Sequence, residues 1–271
     1  MSHSARPRWL GSLALGAIAA VYLGWGLAPD AALYRELLTP HRLTALAAVV
    51  KIVFLTAGAL FAFACRDRLE PGNPARPAWA LLSAGLFSTL VGQMSLAPYQ
   101  LASGQSPSHS TGDLFYLLAY PFFIAAFLVF LRAYREAGFP VGSGAERAAI
   151  LGGVGLMAAA AALTILRPVA TGGAELLDRI LNVAYPLLDL VLLLPLALLL
   201  RIALRLRGSH AGAVWAELLA GFVFLCFGDI FFAYFSALGE QHLDPYVHAT
   251  FLLSYGLIAG GAHQQLELLR S

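Results

Sequence analysis

Three observations predict an all-α integral membrane protein, with eight transmembrane helices arranged as repeated hairpins in one domain over 1–271 and both termini cytoplasmic. The chain is 59% apolar and 12% charged, with a mean hydropathy of +0.75, which leaves too little polar surface to coat a soluble globule. Eight apolar runs, about 9–28, 43–65, 77–98, 113–134, 147–166, 176–200, 212–238 and 246–266, each approach the roughly 20 residues that span a bilayer. The arginines, finally, crowd alternate connections.

The first run is long and lacks a clear cleavage boundary, so it reads as a retained anchor rather than a leader; Arg6 and Arg8 precede it. The second carries Lys51, the single lysine, about 13 Å along the helix at 1.5 Å per residue. Arg66, Arg68 and Arg76 separate it from the third, which opens near Trp79 and holds Gln93. The fourth begins at Asp113, reaches Tyr120-Pro121 and is followed by Arg132, Arg135 and Arg147. The sixth carries Asp178, Asn182, Tyr185-Pro186 and Asp189, and ends near Arg201, Arg205 and Arg207. The seventh carries Trp215 and Asp229, and the eighth His248 and Tyr255, with Arg270 beyond it. One set of connections and the termini thus hold twelve arginines, the other set Arg35, Arg42, Arg167 and Arg179. By the positive-inside rule the richer side is cytoplasmic.

A repeat runs through the chain. Trp79, Gly85, Gly92 and Gln93 stand 136 residues before Trp215, Gly221, Gly228 and Asp229, while Asp113 and Tyr120 stand 135 before His248 and Tyr255. An interval of seven, two helical turns on one face, also separates Asp178 from Tyr185. Pseudo-repeats are expected over about 77–134, 147–206 and 212–269. Trp79 and Trp215 are expected as anchors at the membrane interface, and Pro121 and Pro186 as kinks. Cys65 and Cys226 lie inside apolar runs and form no metal or disulfide pattern.

Polar groups inside hydrocarbon are costly, about 2.5–3.5 kcal/mol for a central charge on insertion scales, and therefore mark a partner or a purpose. Asp178, Asn182, Tyr185 and Asp189 recur at i, i+4, i+7 and i+11, one polar stripe about 16 Å long. It is expected to wall an outward-opening cavity together with Lys51, Gln93, Asp113, Tyr120, Asp229, His248 and Tyr255, with Lys51 paired to Asp189 or Asp229. The plainer alternative is that these pairs only hold a packed bundle together. A zinc- or manganese-type set of His109, Asp113, Asp244 and His248 is chemically feasible, but four ligands over two loops are weak evidence, and no metal or other cofactor is assigned. Nucleotide loops, nucleophile elbows and zincin motifs do not occur, and nothing points to nucleic acid.

The segment His109-Ser-Thr-Gly-Asp-Leu-Phe-Tyr-Leu-Leu-Ala-Tyr-Pro121 resembles the Pro-Ser-x-x-Asp-x-Phe-Tyr-Leu-x-x-Tyr-Pro pattern of multispan sensor regions at the N-terminus of bacterial diguanylate cyclases and histidine kinases. The likeness extends to Ala184-Tyr-Pro-Leu-Leu-Asp189 and Phe227-Gly-Asp-Ile-Phe-Phe232, and so covers about 77–266. It implies a sensory or signal-transduction module in the bacterial cytoplasmic (inner) membrane. The partners implied are the lipid bilayer, a small-molecule or lipid ligand of unknown identity, and a cytoplasmic signalling partner or second copy. No cyclase Gly-Gly-Asp/Glu-Glu-Phe segment or kinase core occurs, so catalytic output is not implied. Lysoplasmalogenases offer the alternative: Phe227-Gly-Asp229 with an intramembrane Lys51 looks like their pattern, and would imply an intramembrane lipid hydrolase.

Overall fold

Local chemistry sets the helix ends. The structure, a computed structural model, describes residues 9–104, 106–107, 109–139, 142–161, 176–238 and 244–270. Among them run α1 (Trp9–Leu27), α2 (Pro40–Arg68), α3 (Arg76–Ser103), α4 (Gly112–Glu136), α5 (Gly144–Ala161), α6 (Leu176–Arg205), α7 (His210–Leu238) and α8 (Asp244–Leu268), with a π-helical turn at Leu33–Leu37 before α2. Pro40 opens α2, where a missing N–H costs nothing. Gly104 ends α3 at φ 67°, its N–H donating to Gln100 O. Capping boxes start two helices: at α5 the box is reciprocal, the Ser143 N–H donating to Glu146 Oε2 and the Glu146 N–H to Ser143 Oγ, while at α4 the Ser110 N–H donates to Asp113 Oδ2 at 2.6 Å and Ser110 Oγ accepts from the Gly112 N–H instead.

The described residues contain helices and no strands, and five helices (α2, α3, α4, α6 and the His210–Phe235 part of α7) are long and apolar enough to cross a membrane. The chain is a multi-pass membrane protein. On α2 the outward face is Leu46, Val49, Val53, Leu60 and Phe63, all exposed, whereas the inward face is mostly small: Ala47, Ala48, Gly58, Ala59, Ala62 and Cys65. Large apolar groups outside and small ones between helices are what a hydrocarbon solvent favours.

Six helices close a ring. α2 packs on α3, α3 on α4, α4 on α6, α6 on α7, α7 on α8, and α8 returns to α2; α1 lies outside against α8, and α5 outside against α6. α3 and α4 cross at Gly92 and Gly112, where a Cβ on Gly112 would stand 2.6 Å from Gly92 O. One half of the ring is cored by edge-on aromatics: Phe123 and Phe127 against Phe222, then Trp79 and Trp215 against Phe130. The two tryptophans, expected as interfacial anchors, are instead 3% and 4% exposed. Trp215 Nε1–H donates to Tyr134 Oη, which satisfies the indole inside the bundle.

Candidate functional site: a charged cavity within the helix ring

The capping box of α4 aims Asp113 inward. Its Oδ2 accepts from the Ser110 N–H, leaving Oδ1 to accept the Tyr185 hydroxyl of α6 at 2.7 Å. Two turns further along α4, Tyr120 Oη lies 2.8 Å from Asp189 Oδ1 of α6 and 2.9 Å from Asp229 Oδ2 of α7. A phenol has one hydrogen and so donates to one carboxylate only. The other contact then requires a carboxyl O–H donating to Tyr120 Oη, and the trio carries one negative charge rather than two. Asp189 is fully buried within it, beside the Cys226 thiol.

These groups border a cavity of about 280 Å³ inside the ring. It runs from Ser106, Pro107 and Ser110, where α3 hands over to α4, inward to Phe123 and Leu225. A polar relay follows the α3–α4 side: Tyr116 Oη–H donates to Gln93 Oε1 at 3.2 Å, Gln93 Nε2 to Gln100 Oε1 at 2.9 Å, and Gln100 Nε2 to Ser106 Oγ at 2.8 Å. Another part of the wall comes from α2 and α8. Lys51 is 4% exposed there, its ammonium 5.9 Å from the Phe251 ring centroid, and Phe251 in turn stacks on Tyr255 at 6.0 Å. His248, 7% exposed, meets Tyr22 edge-on, and its Nδ1 has no hydrogen-bond partner among the described residues.

Of the residues singled out from the sequence, Lys51, Gln93, Asp113, Tyr120, Tyr185, Asp229, His248 and Tyr255 line this cavity. Asp178, Asn182 and Asp189 do not. Asp178 lies in the first turn of α6, where His109 Nδ1 is 2.9 Å from its Oδ1; Asn182 is buried in the packing; Asp189 sits one hydrogen bond behind the wall. The expected stripe is therefore split among four environments, because α6 contributes only a narrow strip, Tyr185, to the ring interior. The expected pairing of Lys51 is corrected too. No carboxylate among the described residues lies within ion-pair distance of its ammonium, since Asp189 and Asp229 are held across the ring by Tyr120. His109, Asp113, Asp244 and His248 do not gather as metal ligands: no group of three or more such side chains occurs among the described residues.

Gln100, Tyr116, Thr89 and Phe232 also line the cavity and were not singled out, and Asp244, weighed only as a metal ligand, lines it too. Gln100 had a readable signal, an amide one heptad beyond Gln93 in an apolar helix. Comparison with known proteins ends without a match: no family model, curated protein or solved structure matches this chain.

Proposed function

We propose that this protein is a sensory module of the bacterial inner membrane, crossing the bilayer eight times with both termini in the cytoplasm and binding a small polar or amphipathic ligand in a cavity that opens outward. The observation that carries the proposal is Lys51: a buried ammonium on a cavity wall, with no carboxylate in reach among the described residues, sharing the cavity with carboxyl groups already clamped by tyrosines. A packed bundle with no ligand would neutralise that charge internally or discard it. Resemblance of the His109–Pro121 segment to the sensor regions of bacterial signalling enzymes agrees with a sensory role.

Cysteine accessibility tests it. The native Cys65 and Cys226 are 0% and 3% exposed, giving a silent background. Ser110→Cys at the cavity mouth and Phe251→Cys on its inner wall are expected to react with a membrane-impermeant maleimide added to intact cells. Labelling of neither, or only after the membranes are inverted, would sink the outward cavity.

A second reading, lipid hydrolysis of the lysoplasmalogenase type, draws on the Asp189–Tyr120–Asp229 trio, which pairs a carboxylic acid with a carboxylate beside an open space. Such a unit can donate and accept a proton. Release of a fatty aldehyde from a vinyl-ether lysophospholipid by the purified protein, lost in Asp229→Asn, would favour it.

A further inference from the structure

We infer that the ligand is a small zwitterion, a molecule carrying both an amine and a carboxylate, bound with its carboxylate at Lys51 and its ammonium at Asp229. The inference rests on the cavity being a ligand site and names the chemistry that fits it. Lys51 on α2 and Asp229 on α7, helices that are not neighbours in the ring, both line the cavity, so a cation and the Asp189–Tyr120–Asp229 trio border one space. Two opposite charges that could have met as an ion pair are instead held apart.

Each pole is open on its cavity side. Lys51 has a ring face near it and no anion within 4.0 Å among the described residues. Among the described residues, Asp229 is bonded through Oδ2 alone, to Tyr120. A monopolar anion would satisfy Lys51 and leave the trio facing an apolar group; an amine would do the reverse. A zwitterion satisfies both and adds no net charge to the membrane interior. The wall between the poles is aromatic, Phe232 from α7 and Phe251 and Tyr255 from α8, suited to the carbon skeleton joining the two charges. The amides of Gln93 and Gln100 and the hydroxyl of Ser106 give polar footing from mouth to floor.

The experiment uses the full chain in lipid nanodiscs, with thermal melting and calorimetry. The probes are the standard amino acids, γ-aminobutyrate and glycine betaine, each matched to an analogue lacking one charge: 4-methylpentanoate and 3-methylbutylamine for leucine, butyrate and butylamine for γ-aminobutyrate. At least one zwitterion is expected to raise the Tm, its matched anion and amine are not, and Lys51→Met and Asp229→Asn are each expected to weaken its binding by about 30-fold or more, the loss expected when one partner of a buried charge pair is removed. Unliganded melts of both variants establish that they fold. Equal binding by a monopolar analogue, or binding undiminished in either variant, overturns the zwitterion while small-ligand binding stands. Binding by no probe of either kind overturns both.

Discussion

Tyr120 is the residue on which the buried charge of the bundle depends. Its hydroxyl is the link between Asp189 and Asp229, and its removal would leave the two carboxyls without their shared partner and, among the described residues, without a paired cation. Tyr120→Phe is expected to lower stability by about 1–3 kcal/mol, the penalty for stranding buried polar partners. The effect should be markedly non-additive with Asp229→Asn, since the amide can donate to Asp189 directly. A thermal double-mutant cycle in detergent or nanodiscs reads this coupling, and strictly additive losses would show that the trio is not a unit. Lys51 predicts the opposite sign. Because no carboxylate among the described residues neutralises it, Lys51→Met should raise ligand-free stability, by something on the order of 2 kcal/mol on insertion scales, whereas a lysine paired with Asp189 or Asp229 would make the same substitution destabilising. Ligand-free melts of Lys51→Met decide between them.

Helices were legible in this chain, and their facing was not. Each apolar run expected from the sequence coincides with a helix over its described residues, and several extend beyond it: α2 continues to Arg68 and α6 to Arg205, since a helix need not stop where hydrocarbon does. Facing was lost because lipid and protein interior are both apolar, so periodicity carries little contrast. Trp79 and Trp215 look like interface anchors by residue type and are core by packing; Asp178 lies on one helical face with Asp189 yet is claimed by His109, a contact across 69 residues that no local pattern encodes. Close approaches are the exception, because small residues mark them. Gly112→Ala should wedge α3 from α4 at Gly92 O, with a cost of about 1–3 kcal/mol typical of overpacking. Gly152→Ala on α5, where an added Cβ meets nothing within 4 Å, should be neutral or stabilising by up to about 1 kcal/mol. Equal melting of the two variants would argue against a tight α3–α4 crossing.

Across the whole molecule, the ring has a two-part order. α2, α3 and α4 follow one another as α6, α7 and α8 do, and each set hands over to the other, α4 to α6 and α8 to α2. The hairpin offsets in the sequence anticipate half of this; the correspondence of α2 with α6 is visible only once the contacts close the ring. Closure also explains α8. It packs against α1, α2 and α7, so it can carry His248, Tyr255 and several glycines, and it is consequently not among the helices apolar enough to be recognised as spans. If α8 also crosses the membrane, and α1 and α5 cross beside it, twelve of the sixteen arginines fall at one end. Arg76 Nε–H donates to Arg66 O, and Arg201 reaches Glu146 at 2.6 Å, which brings the end of α2 to the start of α3 and the end of α6 to the start of α5. The opposite end holds the cavity mouth at Ser106 and Ser110. The positive-inside rule then orients the molecule with that mouth away from the cytoplasm. Reporter fusions after Ser106 and after Ser271 are expected to report opposite compartments, with the Ser271 fusion cytoplasmic. The same compartment for both would mean an even number of crossings between them, with α8 or α5 failing to cross. Opposite compartments with Ser106 inside would keep the ring and turn the cavity toward the cytoplasm.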